Sequence, residues 1–568
     1  MRRGGCQTGL PSGVRGVSTQ PISLLPWSLV AAIAMASGCG GEPREDAEQP
    51  VTTATGGPSA GSGDADGTGE GTVGGTADGT AGGGIKLDVA GGVDLGGGGT
   101  VGDCDSLEEL PTNQGCEFWA LDLPNVSEVP PLSIDTVPAD QQFAVVVTNP
   151  SDMATANVEI FVADQATPVV SGPVPVETMR VFQLPALNIT PGATTSDGQA
   201  YRIASDLPII AYQFQPLDNT SPVYSNDATL LFPTHVLTGD YTAITGDATL
   251  VDNDGFAISD ANTGAFVSVV GVEDETTVTL YPTGGLLPGA YEDVVLARGA
   301  VLTAISSERG APSWGNLSGT RVVADKPVAV FSGSVSTSEP SDANVCCADH
   351  LEHQMLPLSA WGASYAFAPA AAAAGGGSDE SLVRITGAFD GTALVYDPAT
   401  PAGAPASIDA GETVAFVTEA AFTVHATDET QAFAVSQFLL SNQYFNEPLG
   451  RPGDPTMILL PAVAQFQDNY VFLMPQGYRG NFVTVVRPQG VPMTLDGGAA
   501  PGAFAPLGNL DGTDYEYAHV QLEPGNHTIE ADEPFGIIVA GHATDVSYGY
   551  TGGSGVGVIS TPPPPPAG

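Results

Sequence analysis

The chain has 568 residues, 42% hydrophobic and 14% charged, with 72 Gly, 47 Pro and a formal charge of -49. Fifteen Lys and Arg against 64 Asp and Glu exclude functions that need a basic surface, namely nucleic-acid binding and attraction to anionic lipid. The length predicts roughly three or four domains of ~100–200 residues, and the Gly and Pro content excludes a helical bundle or coiled coil.

At the start of the chain, Arg2, Arg3 and Arg15 give a positive segment, and 22–36 (ISLLPWSLVAAIAMA) is apolar and uncharged. That run is shorter than the ~20 residues of a stable membrane anchor. Ala36, Ser37, Gly38 and Cys39 follow, an order similar to a bacterial lipoprotein signal, with cleavage after residue 38 and acylation of Cys39. The competing reading is an ordinary secretory signal with an incidental cysteine. Gly40 after the cysteine favours the outer membrane. With no later apolar run long enough to span, membrane attachment is expected through the lipid alone. Removal of 1–38 leaves 12 basic and 64 acidic residues.

Residues 39–103 form an acidic linker of Gly, Thr and Ala, with 20 Gly in the 47 positions from 56 to 102. Such a segment buries too little apolar surface to offset its ordering entropy, so it is expected to be disordered. A coil of this length spans roughly 40–50 Å.

From Cys104 the pattern changes to short apolar runs with period-two alternation, such as QFAVVVTN (142–149), FVSVVGV (266–272), TTVTLYP (276–282) and NFVTVVRP (481–488). These predict β-strands. The alanine-rich stretch 366–377 ends in three Gly and reads as a loop. An Asp-x-Pro element followed by an apolar run recurs around Asp206, Asp325 and Asp532, with a degenerate copy at Asp428. Upstream of each lies a strand starting at Phe143, Phe266, Leu382 or Phe482. A third element pairs a proline with a later tyrosine, at Pro233/Tyr241, Pro357/Tyr365 and Pro461/Tyr470, replaced in the first copy by FWALDLPN (118–125). The predicted fold is all-β: four tandem antiparallel β-sandwich-like repeats of about 100–125 residues, at 104–229, 230–345, 346–452 and 453–560, then a Pro-rich tail at 561–568. A propeller-like arrangement of long blades is the alternative, although common blades are ~40–50 residues. The Asp-x-Pro element reads as a turn in which Asp accepts local backbone N–H bonds. The hidden faces should hold Val145, Val147, Ile203, Ile209, Val267, Val269, Val328, Val330, Val483, Val485, Ile537 and Val539.

GCEFWALDLPN (115–125), FAVVVTNPS (143–151), YRIASDLPIIAYQFQPL (201–217), SNDATLLFP (225–233), KPVAVFSG (326–333) and CCADHLEHQMLPLSAWG (346–362) resemble the IgGFc-binding domain family. The resemblance covers about 104–552. It implies an extracellular, non-enzymatic adhesion or interaction module. The family's usual cysteine after the VFSG-like strand has no counterpart in SVSTSEP (334–340).

Cys104, Cys116, Cys346 and Cys347 remain after removal of Cys6 and acylation of Cys39. An even count in an exported chain favours disulfides. Cys104–Cys116 is the favoured pair, leaving Cys346 and Cys347 to bridge each other; cross-links between the two groups are the alternative. The segment 346–353 (CCADHLEH) also holds Asp349, His350 and Glu352 with His353. Its spacing matches no standard zinc template, so a metal is undefined, and a structural loop or a binding surface formed by Asp349, His350 and Glu352 competes with a metal-dependent hydrolase. DNDG (252–255) lacks the acids of a calcium loop and reads as a turn, although the acidic surface leaves diffuse Ca²⁺ binding open; no other cofactor is expected.

The sequence therefore predicts a lipid-anchored, non-catalytic protein of the cell envelope that binds a protein or glycan ligand on a surface. Tyr224, Tyr444, Tyr548 and Tyr550 are candidate exposed anchors. A Ca²⁺-stiffened structural component and a hydrolase using 346–353 are the alternatives.

Overall fold

The computed structural model describes residues 104–566, apart from 108–109, 127–136, 188, 190–194, 218–224, 248–263, 308–314, 342–347, 374, 446–450 and 501. The signal segment with Cys39, the linker, Cys346, Cys347, the DNDG turn and Tyr224 lie outside the described residues.

The described residues are all-β, with short 3-10 turns between strands. The first repeat shows the plan. Its strands are β1 (Gly115–Leu121), β2 (Ala144–Asn149), β3 (Ala156–Val162), β4 (Val170–Val174), β5 (Thr178–Gln183), β6 (Thr195–Ser196), β7 (Ala200–Gln215) and β8 (Asp227–Leu230). The first part of β7 pairs with β1 and β3, and β3 pairs with β4. The second part pairs with β2 and β8, and β2 pairs with β5. One long strand thus belongs to two sheets, and it changes sheet at Asp206–Pro208. The two-residue β6 reaches into the second repeat, where it pairs with Val301–Ile305.

The other three repeats reproduce this order. In the second, Arg321–Ala324 pairs with Asp240–Thr242 and Thr276–Tyr281, while Val328–Thr337 pairs with Ala265–Gly271 and Asp349–Gln354. In the third, Phe422–Ala426 and Phe433–Phe438 divide the role in the same way. In the fourth, Gly525–Ala543 is again a single strand shared by two sheets. The Asp-x-Pro turn is therefore the corner at which a strand crosses between sheets, a recurring device in sandwiches. Its aspartate is not confined to local bonds. Asp206 accepts from the amide of Asn157 at 2.6 Å and Asp325 from that of Thr277 at 2.7 Å, both at the start of the facing strand. In the degenerate copy, Asp428 does bond locally, to Thr430.

The two sheets of a repeat differ in burial, and the difference sets the architecture. The sheet containing β3 alternates buried and exposed residues, as a half-solvated sheet does. Its counterpart in the second repeat, Thr276–Tyr281, alternates likewise. The other sheet is covered on both faces: every residue of β2, Ala265–Gly271 and Val328–Thr337 is buried. All of the core valines and isoleucines expected from the sequence are buried.

The reason for the doubly covered sheets is their place in the molecule. The last strand of each repeat is Asp227–Leu230, Asp349–Gln354, Met457–Leu459 or Val546–Thr551, the first three lying at or just past the boundaries read from the sequence and belonging, with the few residues that follow each, to the repeat whose sheet they complete. Each of these packs against the last strands of its two neighbours, and the fourth packs against the first. Four sandwich-like repeats are thus arranged around one axis as the blades of a propeller are, and the inner sheets meet there. Sandwich and propeller describe two levels of one structure.

A tyrosine ties three repeats in the same way. Tyr241 Oη donates to the Val328 carbonyl at 2.7 Å and accepts from the Thr238 amide at 3.0 Å. Tyr365 bonds the Phe433 carbonyl at 2.6 Å, and Tyr470 bonds the Phe535 carbonyl and the Gln467 amide. In the first repeat the register places Phe118, opposite Ile203, where Tyr241 faces Val322. That repeat is tied instead by a disulfide between Cys104 and Cys116. The alanine-rich stretch read as a loop contributes strands Ser364–Phe367 and Ala370–Ala371. Its small side chains let it lie close to Val486 and Leu507 of the fourth repeat.

Candidate functional site

The most polar part of the interior is the axis. Asp227, Asp349, His350, Glu352 and Gln354 are all fully buried. The segment read as a polar loop leading the third repeat is an edge strand of the second, paired through Leu351↔Ser334 and His353↔Ser332. Its polar side chains misled the reading because Asp349, Glu352 and Gln354 accept hydrogen bonds from neighbouring repeats.

Two carboxylates link the four repeats. Asp227, in the first, accepts from the Glu352 amide of the second at 3.0 Å and from the Met457 amide of the third at 3.4 Å. It also accepts from the Thr456 hydroxyl and, at 2.9 Å, from the Ala228 amide. Asp349, in the second, accepts from the Asn226 amide of the first at 2.8 Å and from the Ser547 amide of the fourth at 3.3 Å. The Gln354 amide donates to Thr229 Oγ1 at 3.0 Å, and the Phe232 amide to Gln354 Oε1 at 2.9 Å. Glu352 Oε2 accepts from Gln213 Nε2 at 3.1 Å and lies 3.5 Å from His350 Nε2. Gln213 in turn holds both the amide and the carbonyl of Leu121.

Burial governs the protonation of this network. It pushes the Asp227 carboxyl up to about 8, against four donated hydrogen bonds that pull it down. It also raises Asp349, with the nearby Asp454 and Asp227 adding to the effect, and it raises Glu352. Burial also holds His350 down to about 3 and His353 to about 4, which keeps both imidazoles neutral. His350 stacks on Phe266, with centroids 6.0 Å apart. Such an arrangement can hold strands in register, but it offers no open face to a substrate. Among the described residues, no group of three or more His, Cys, Asp and Glu is placed to hold a metal ion.

Two residues selected as exposed anchors are in the core. Tyr548 and Tyr550 are fully buried, and Tyr550 packs on Tyr212 at 5.0 Å and on Phe214 at 5.9 Å. They sit at the seam between the fourth and first repeats, the one seam that joins repeats not consecutive in the chain, and large aromatic area is what a non-covalent closure needs. Tyr444 is half-buried. Sequence reasoning missed Asp227 as a site residue. Its signal was available: Ser225, Asn226 and Asp227 precede an apolar run that has no turn residue to explain them.

The described structure is thus a modular all-β protein whose densest set of ionisable groups serves its own architecture. The sequence model of the family described as IgGFc binding protein matches residues 227–541, and the chain belongs to that family. The human IgGFc-binding protein is 27% identical over 342 residues, which cover 59% of this chain and 6% of that one. The chain therefore matches a small fraction of that relative's length. A solved structure of an anti-sigma factor domain-containing protein from Clostridium clariflavum aligns over 69% of this chain and 98% of its own at 8% identity, with a TM-score of 0.10, too low to bear on the fold.

Proposed function

We propose that this chain is a non-catalytic binding or adhesion protein, carried on the cell envelope by a lipid on Cys39 and presenting its repeats to a protein or glycan ligand. The observation that carries this reading is the fate of the family's most specific motifs. AYQFQ, SNDATLLFP and DHLEHQ meet at the axis, where Asp349, His350 and Glu352 have no exposure, the two carboxyls accepting bonds from other repeats and His350 stacking on Phe266. A motif sealed in this way maintains a scaffold, and the scaffold leaves the outer sheets and loops free for recognition.

The test is an array of glycans and proteins, immunoglobulin Fc among them, probed with the full chain with and without Ca²⁺. Saturable binding without turnover is expected. Substrate conversion that disappears on Glu352→Gln would overturn the reading. Metabolic labelling with a fatty acid, lost on Cys39→Ser, checks the anchor separately.

A further inference from the structure

The residues after the last strand lie against all four repeats. The Gly555 amide donates to the Gln465 carbonyl of the fourth repeat at 2.9 Å, and the Val556 amide to the Pro111 carbonyl of the first at 3.1 Å. The amides of Ile559 and Ser560 both donate to the Ser359 carbonyl of the third, at 2.8 and 2.9 Å. Arg321 of the second repeat donates to the Pro563 carbonyl at 2.7 Å. The same guanidinium is fixed from behind by both oxygens of Asp240. Ser554 of this segment lines a small cavity of about 10 Å³ together with Phe232, His353, Leu356, Leu459 and Thr551, so every repeat contributes to its wall. His353 Nδ1 is engaged by the Gln354 carbonyl, and neither His353 Nε2 nor Ser554 Oγ makes a hydrogen bond.

Three features separate this segment from the rest of the fold. It has no strand or helix of its own. Val556 is its one large apolar side chain in the core, while Val558 is 82% exposed and Ile559 is 38% exposed. Apart from the Ser560 hydroxyl on the Leu358 carbonyl, the bonds that hold it go through its own main chain. Four small residues, Gly552, Gly553, Ser554 and Gly555, connect it to the strand Val546–Thr551.

We propose that this furrow is a docking groove for an extended Gly- and Pro-rich segment, and that residues 553–566 of a second copy of the chain can replace the chain's own. An identical segment makes the same main-chain bonds from another molecule. The exchange is therefore decided by the effective concentration of the chain's own segment and not by a difference in contacts.

The test uses the full chain and a labelled peptide of residues 553–566. The peptide is titrated onto the wild type, onto Val556→Pro and onto Val556→Pro with Arg321→Gln. Proline at 556 removes the amide that bonds Pro111, and release of the chain's own segment is read as faster hydrogen exchange at Ile559 and Ser560. Gly557→Trp gives a second route to release, because a Cβ there would lie 2.7 Å from Pro111 Cβ. Binding to either released chain should be at least about tenfold tighter than to the wild type, and Arg321→Gln should cost about tenfold, as expected for loss of a charge-assisted bond. Equal binding to all chains, no binding to a released chain, or equally tight binding of a scrambled peptide would overturn the proposal. Undiminished protection at Ile559 and Ser560 in both variants would overturn it as well.

Discussion

Asp227→Asn tests the chemistry of the axis. The carboxylate receives four donors, from Ala228, Glu352, Thr456 and Met457, contributed by three repeats. Asparagine keeps one acceptor oxygen and turns an NH₂ toward the remaining donors. Leaving one or two buried donors unpaired costs about 2–4 kcal/mol. At pH 4 the native carboxyl is protonated, but its hydroxyl oxygen still accepts a donor that the asparagine NH₂ cannot, so the variant should be the weaker there. A carboxyl raised from 3.8 to about 8 holds its proton more tightly in the folded state than in the unfolded. The stability it contributes is complete below the unfolded value and is lost as pH rises to about 8. The loss is on the order of 5 kcal/mol. Asp349 and Glu352 are raised in part by Asp227 itself, so the variant also relaxes them. Urea unfolding of wild type and variant, followed by Trp fluorescence at pH 4, 6, 8 and 9, gives the difference directly. The variant should be the less stable at pH 4, and the gap should close or reverse by pH 8. A gap that widens with pH would mean that the four donors outweigh burial and keep Asp227 ionised, and the reasoning would fail.

The imidazoles bring the opposite slope. His350 and His353 are held below their ordinary value, so the stability they contribute is present above about 6.5 and lost toward pH 3–4; His350→Phe should flatten the acid limb of a melting-temperature profile. Tyr241→Phe leaves the Val328 carbonyl and the Thr238 amide without their partner and should cost about 1–3 kcal/mol in denaturant unfolding, as should Tyr365→Phe. Tyr550→Ala removes a buried ring and its bond to the Leu473 carbonyl at the closing seam; about 3–5 kcal/mol and faster hydrogen exchange in Asp227–Leu230 are expected. Reduction of Cys104–Cys116 should cost about 3 kcal/mol, measured as a lower unfolding midpoint in reductant.

The repeat was legible because its signals are local. Period-two runs, turn residues and the Asp-x-Pro spacing mark strands and corners through short-range chemistry. On the doubly covered sheets burial was legible for one face only, that of Val145, Val147, Val267, Val269, Val328 and Val330. In Val328–Thr337 both faces are covered, yet the run carries Ser332, Ser334 and Ser336, which alternate as though one face met water. Ser332 instead bonds the Ile244 carbonyl of its own repeat. The same ambiguity hid the axis. Asp349, His350 and Glu352 have the composition of an exposed loop, and only the positions of Asn226, Gln213 and Ser547, at 123, 139 and 198 residues' separation, show that the polarity of Asp349 and Glu352 is met internally.

Such long-range pairing also explains why the axis can be polar at all. An edge strand exposes unpaired main-chain groups, and four of them brought together could pair with one another indefinitely or slip in register. Apolar side chains would cover these edges without distinguishing one alignment from the next. Asp227 and Asp349 distinguish them, because each accepts amides from two other repeats at once, and a slip by one residue would strand both carboxyls without donors. Burying them carries a desolvation cost that rises with pH, and the return is a single register for four strands. The ring thereby acquires a defined closure between its first and fourth repeats, where Tyr212, Phe214, Tyr548 and Tyr550 supply the apolar contact that the carboxyls cannot.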